Sequence, residues 1–137
     1  MRIGTLLRSI AVLTSLAAAG LGARCSVGLD TDVDAVVVAR ENARRHAFGG
    51  RVRLYAGPLE ACMGKFDVVV ANMLAEEILP EARRLQARAA RTGRVLLSGV
   101  TYERENAVLA RMRTGRWKLA GRRTEDEWIS LCLERAS

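Results

Sequence analysis

At 137 residues, half of them apolar, the chain has material for one hydrophobic core and is read as a single domain over residues 1–137. Its 22 Lys and Arg against 15 Asp and Glu leave a formal charge of +7, carried almost wholly by arginine because lysine occurs only at Lys65 and Lys118. Such a balance speeds encounters with acidic partners such as RNA but says nothing about fold. Runs such as Arg40, Arg44 and Arg45, or Arg83, Arg84, Arg88 and Arg91, also suit solvated helix faces. Cys25, Cys62 and Cys132 are odd in number and contain no C-x-x-C pair, which argues against a disulfide framework or a zinc site. Small buried thiols in a reducing cytosol, hence a cytoplasmic location, are expected instead. The lone His46 excludes a multi-histidine metal site and is placed on the polar face of a helix.

Residues 1–23 admit two readings. Met1-Arg2, a basic Arg8, an apolar run from Ser9 to Leu21 and small residues up to Ala23 imitate a secretory signal peptide. An alanine-rich helix closed by a glycine and leading into a strand has the same composition. The sequence that follows has no secreted character, which favours the helix, and no other segment is long and apolar enough to span a bilayer.

From Arg24 the chain alternates strand and helix. Arg24 to Leu29 reads as a short strand. Thr31 or Asp32 can cap a helix from about Val33 to His46, whose Val33, Val36, Val37 and Ala43 recur at helical spacing. Gly49-Gly50 breaks it, Val52 to Tyr55 alternates as a third strand, and Gly57-Pro58 turns. Phe66 to Ala71 is, apart from Asp67, a continuous apolar run of the kind buried on both faces of a parallel sheet. A helix then extends to about Ala90 with Ile78, Ala82 and Leu85 inward; Pro80 is tolerable if it lies in the first turn or so. Thr92-Gly93 ends it. Arg94 to Val100 is another buried strand and Glu103 to Met112 another helix. Trp117 to Arg123 and Trp128 to Glu134 form an antiparallel hairpin about the acidic turn Thr124 to Glu127, with both tryptophans read as packing. The fold class is therefore α/β: a mostly parallel, Rossmann-like sheet finished by an antiparallel hairpin.

Two apolar strands end in polar groups. Ser26 to Leu29 closes on Asp30, and Phe66 to Ala71 closes on Asn72. Ligands of open parallel sheets bind at the carboxyl ends of the strands, so these two side chains are the first candidates for a binding site.

The same residues carry a resemblance. Val27 to Asp32 followed by Ala39 to Ala43, then Phe66 to Glu76, Leu96 to Gly99, and Glu127 to Leu131 resemble, in order, the bacterial methyltransferases of ribosomal protein L-eleven, the PrmA family. The resemblance implies a class I methyltransferase fold that binds S-adenosylmethionine and methylates amino groups of a large-subunit ribosomal protein; the basic charge, independently of the resemblance, adds ribosomal RNA as a candidate contact, and no membrane association is expected. The resemblance assigns Asp30 to the ribose hydroxyls of the cofactor and Asn72 to the vicinity of the methyl donor and the incoming amine, and it sets Gly57 to Glu60 near the adenine. Methyl transfer to a neutral amine needs alignment more than a base, so no catalytic acid or base is assigned.

The start departs from the family. A glycine-rich loop is expected after the first strand; only Arg2-Ile3-Gly4-Thr5 resembles that element, which makes Gly4 the third cofactor-binding candidate, and Leu6, Leu7 and Arg8 stand where more glycines belong. The central first strand is accordingly expected to be missing or incomplete, and the family's separate amino-terminal substrate-recognition domain to be absent. Three functions stay open: an active methyltransferase, a truncated fragment or pseudoenzyme that does not bind the cofactor, and a basic RNA-binding module.

Overall fold

A computed structural model describes residues 1–7, 11–46 and 50–136, with backbone only for residues 5–7 and 11–13. The elements are β1 (Arg2–Leu7), α1 (Ala11–Gly20), β2 (Cys25–Asp30), α2 (Val33–Arg45), β3 (Val52–Ala56), a short 3-10 turn (Leu59–Ala61), β4 (Phe66–Asn72), α3 (Ala75–Arg88), β5 (Ala89–Thr101), α4 (Tyr102–Met112), β6 (Trp117–Glu125) and β7 (Trp128–Arg135). The strands form a seven-stranded sheet in the order β3-β2-β1-β4-β5-β7-β6. β7 runs antiparallel to both β5 and β6, and every other pairing is parallel. The expected α/β class and hairpin are thus present.

One expectation about that sheet is overturned. The central first strand is neither missing nor incomplete: β1 lies in the middle, paired with β2 on one side and β4 on the other. A strand interior requires only a backbone free to pair and side chains that tolerate burial, which Ile3 and Gly4 supply. The acid and glycines that the sequence lacks belong to the turn after such a strand. Leu6 and Leu7, taken as loop positions, are the last two residues of β1. Arg8 and Gly49 fall outside the described residues.

Residues 11–20 form the first helix, α1, which packs on β1 and β2. α1 buries Ser15, Ala18 and Ala19, and its end is closed by two reversed bonds, Ala23 N–H to the Ala18 carbonyl at 2.9 Å and Gly22 N–H to the Ala19 carbonyl at 3.2 Å. That pair is the Schellman arrangement expected of a helix-ending glycine. α2 starts where Asp32 accepts the N–H groups of Asp34 and Ala35. Its buried stripe is Val36, Ala39 and Ala43, while Val33 and Val37 stand outside. Val36, Ala39 and Ala43 follow one another at spacings of three and four, and Val37 lies about a quarter-turn off that stripe.

Right-handed crossovers leading away from β1 on one side and from β4 on the other put α1 and α2 on one face and α3 and α4 on the opposite face. The larger core, under α3 and α4, includes the fully buried Phe66, Ile78, Leu85, Leu97, Met112 and Leu133. The smaller core joins Ala19, Val36, Ala39, Val52 and Leu54. On the outer strand β3, the Arg40 guanidinium donates twice to the Leu54 carbonyl, at 2.6 and 3.0 Å. Pro80 sits in the second turn of α3, not the first, and has no N–H to give the Glu76 carbonyl. His46 ends α2 at the surface. Cys62 is buried, Cys25 and Cys132 are half-buried, and all three are free; burial pushes the Cys62 and Cys132 thiols up.

β5 begins earlier than the sequence suggests. α3 stops at Arg88, and Ala89 already pairs with Phe66, but the next paired residues are Arg94 and Val68. The intervening backbone is pinched back on itself: a β-carbon on Gly93 would stand 2.7 Å from the Phe66 carbonyl oxygen and 2.8 Å from Ala90 N. Glycine is required there by space. Gly93→Ala is therefore expected to cost about 1–3 kcal/mol, the range for overpacking, read as a lower urea midpoint with unchanged slope.

At the other edge, Arg122 on β6 donates to both carboxylate oxygens of Glu105 on α4, at 2.5 and 2.9 Å. That hydrogen bonding holds the Glu105 carboxyl below its ordinary 4.5. Because the folded-state value is the lower one, the pair's contribution is complete above the unfolded-state pKa and is lost as pH falls through the folded one. Glu105→Gln should lower the urea midpoint at pH 7, and the difference from the parent should shrink progressively as pH is lowered into the acid range.

Candidate active site at the carboxyl rim of the sheet

The chain leaves β1 toward β2 and β3, then returns across to β4. A topological switch point therefore lies between β1 and β4, at the carboxyl ends of the parallel strands. Asp30 is the last residue of β2 and Asn72 the last of β4. Leu6 of β1 pairs with both Leu29 and Ala71, and Leu7 with Asn72, so the two polar residues stand level on either side of the end of β1. Two strand spacings separate their backbones, roughly 10 Å.

Asp30 is nearly buried, 4% exposed. Its Oδ1 accepts the Asp32 N–H at 2.9 Å, and its own carbonyl accepts the Gly57 N–H at 2.8 Å. The first bond fixes the carboxylate; the second draws in the loop after β3. Since Asp32 caps α2, the carboxylate of Asp30 is not needed for that task. Asp30, Thr31, the Gly57–Glu60 loop, Met73 and Glu77 line a hollow of about 190 Å³.

Asn72 is half-buried, and its Oδ1 accepts the Ser98 hydroxyl at 2.9 Å. The two residues are register partners on β4 and β5, and the Met73 N–H donates to the Ser98 carbonyl at 3.1 Å. Gly99 follows in the left-handed region at φ +84°; a β-carbon there would lie 2.7 Å from the Met73 carbonyl oxygen and 3.2 Å from Asn72 Oδ1. Here the register of β5 against β7 shifts, between Leu97 and Val100. The bulge re-aims the strand end and leaves open the space beside Asn72. A cleft of about 1100 Å³ opens there, reaching from Asn72, Ser98 and Gly99 to the hairpin tip at Thr124–Asp126 and Trp128. It shares Met73 and Glu77 with the hollow over Asp30, so the two adjoin.

Antiparallel pairing explains why the hairpin takes part. β7 enters where β5 leaves, with Thr101 beside Trp128, and this sets the turn at Asp126 and Glu127 on the same rim. Trp128 is 41% exposed and edges the cleft, contrary to its reading as packing; Trp117 is half-buried against the core as expected. The site is rich in carboxylates. Asp30, Glu60, Glu77 and Glu81 line the hollow, and Glu77, Glu125 and Asp126 line the cleft beside one cation, Arg123; Arg84 bridges Glu60 at 3.0 Å and Glu81 at 2.9 Å. Among the described residues, no group of three or more His, Cys, Asp or Glu side chains could hold a metal ion.

Gly4 is not brought to this rim. It pairs with Val27 and Val69, each three residues short of Asp30 and Asn72. That places it roughly 10 Å back along the sheet. A β-carbon on it would press the Phe66 ring at 3.0 Å. Ser98 and Gly99 receive no site role from the sequence, and Trp128 is read there as packing; Ser98-Gly99 lies inside β5, and the local signal there is a small polar residue and a glycine interrupting a buried apolar strand.

A family model described as ribosomal protein L11 methyltransferase (PrmA) matches residues 11–136. The ribosomal protein L11 methyltransferase of Geotalea daltonii is 43% identical over 122 residues, which make up 88% of this chain and 39% of that protein. The one from Pelobacter propionicus is 38% identical over 125 residues, 91% of this chain and 40% of that protein. The chain thus spans about two fifths of the curated relatives it matches. Among solved structures, a ribosomal protein L11 methylase from Lactobacillus delbrueckii subsp. bulgaricus superposes with a TM-score of 0.90 at 24% identity, over 99% of this chain and 70% of that one. An RNA methyltransferase from Salinibacter ruber, solved in complex with S-adenosyl-L-homocysteine, superposes with a TM-score of 0.77 at 17% identity, over 99% and 81% of the two chains. At these identities the structures establish the fold, while the family model and the curated relatives establish descent: this chain belongs to the ribosomal protein L11 methyltransferase (PrmA) family.

Proposed function

We propose that this chain binds S-adenosylmethionine along the carboxyl rim of its sheet and forms the methyl-transferring part of an enzyme that modifies amino groups of a large-subunit ribosomal protein. The observation that carries this reading is the pairing of a nearly buried carboxylate, Asp30, with a held carboxamide, Asn72, level with each other over two adjoining hollows. The cofactor's ordinary requirements fit the residues present. A ribose needs a fixed acceptor, which Asp30 offers. A cationic ligand is favoured by the surrounding carboxylates. The bulge at Gly99 leaves room where a side chain would collide with Met73.

When bound, S-adenosylmethionine supplies a methyl group on a positively charged sulfur. The work left to the protein is to bind, to align and to exclude water. In this reading Asp30 takes the ribose hydroxyls and the Gly57–Glu60 loop flanks the adenine. Asn72, steadied by Ser98, has a second lone pair on Oδ1 and two N–H donors with which to orient a neutral amine. Glu125 and Asp126 on the hairpin attract that amine while it is still an ammonium ion. Gly4 serves at one remove, by letting Phe66 pack flat against β1. We place the protein in the cytoplasm, where such a substrate is made; no described helix is long and apolar enough to cross a membrane.

Calorimetric titration of the chain with S-adenosylmethionine tests the reading. Asp30→Ala should weaken binding at least about 100-fold, since two hydrogen bonds to a charged acceptor are lost at about 1.5–3 kcal/mol each. Unchanged binding would remove Asp30 from the site, and no binding by the parent chain would favour the fragment or pseudoenzyme. Asn72→Ala should hold cofactor affinity within a few fold while single-turnover methylation of the ribosomal protein falls on the order of 100-fold, the cost of misalignment. Ser98→Ala should move the same rate in the same direction by less.

A further inference from the structure

The rim opposite the site carries a second feature. There the ends of α3 and α4, the start of β6 and the end of β7 enclose a groove of about 540 Å³ whose charged lining residues are Arg83, Arg116 and Arg135, with no carboxylate among them. All three arginines are exposed, and no ion pair recorded among the described residues involves any of them. The nearest acid on β7, Glu134, is already taken by Arg94 and Lys118, at 3.2 and 3.4 Å.

Arginines near helix ends often serve only to satisfy the last carbonyls and the helix dipole. Here other groups do that. Gln86 Nε2 donates to the Met112 carbonyl at 2.6 Å, the Thr114 hydroxyl to the Arg111 carbonyl at 3.4 Å, and Lys65 Nζ to the Ala87 carbonyl. Two helix ends bring about half a negative charge each, against three guanidiniums, so the groove stays strongly positive. It also lacks an open apolar anchor: its one aromatic residue, Trp117, packs on the core and is covered by the Arg135 guanidinium, 5.3 Å from the ring centre. A peptide interface draws its energy from buried apolar and aromatic anchors. A nucleic-acid backbone is held instead by guanidinium and small donors on phosphate.

We infer that this groove binds the phosphate backbone of RNA, on the face of the sheet's rim remote from Asp30 and Asn72, so that both rims can be occupied together. The choice of RNA over DNA rests on the ribosomal substrate proposed above; the preference for a polyphosphate rests on the groove alone. The experiment is fluorescence anisotropy of the chain with a labelled 20-nucleotide single-stranded RNA across a salt series. Three phosphate contacts predict a log–log salt slope near −2 from this groove, at about −0.7 per contact for single strands. The variant Arg83→Gln, Arg116→Gln, Arg135→Gln should lose about tenfold or more at low salt and most of that slope. A control that removes equal charge elsewhere, Arg24→Gln, Arg44→Gln, Arg53→Gln, should bind within two- to threefold of the parent. Equal losses in the two variants, no RNA binding by the parent, displacement of the RNA by polyglutamate at matched charge, or tighter binding of the same sequence as DNA would each overturn the inference. Thermal melting of both variants checks the fold. Titration of the groove variant with S-adenosylmethionine, expected to match the parent, keeps failure of this inference distinct from failure of the cofactor reading.

Discussion

The sheet depends on one strand. β3 and β2 on one side and β4, β5, β7 and β6 on the other meet only across β1, which pairs with both halves over most of its length. Each buried N–H or carbonyl left without that partner would cost about 1–3 kcal/mol, and there would be many. The same strand sets the distance between Asp30 and Asn72, because its end is the spacer between them. Architecture and site thus share a single cause: a short run of backbone that must be filled by pairing.

That cause also shows which parts could be read in the amino-acid sequence. The placement of Asp30 and Asn72 at the ends of β2 and β4 was legible because a polar residue at the end of an apolar run is conspicuous. So were α1, with Gly22 behind it, and the hairpin, whose turn is acidic between two alternating strands. β1 was not, since the glycines that announce such a strand belong to the neighbouring turn and a central strand has no such signature of its own. The bulge at Gly99 and the exposure of Trp128 depend on pairing between β5 and β7, residues about thirty positions apart in the chain, and periodicity within a segment carries no trace of that. The inner face of α2 was half right for a simpler reason. Val33 and Val37 are as apolar as Val36, and only the direction of the helix on the sheet decides which of them is covered.

The two rims differ in charge. Carboxylates from four segments outnumber Arg123 where the parallel strands end, and guanidiniums gather where they begin. A net charge of +7 therefore conceals a polar molecule with a negative mouth. Fields of this kind orient a partner before contact is made, at a range set by ionic strength.

β3 is five residues long and borders solvent, and the Leu54 carbonyl on it is already engaged by Arg40. An uncovered border of this sort is where a sheet recruits foreign strands and begins to aggregate. By occupying one of its acceptors with a charged side chain from the adjacent helix, the molecule blunts that border without spending a loop or a proline on it. The guanidinium that fastens α2 down thus also closes one acceptor to foreign strands.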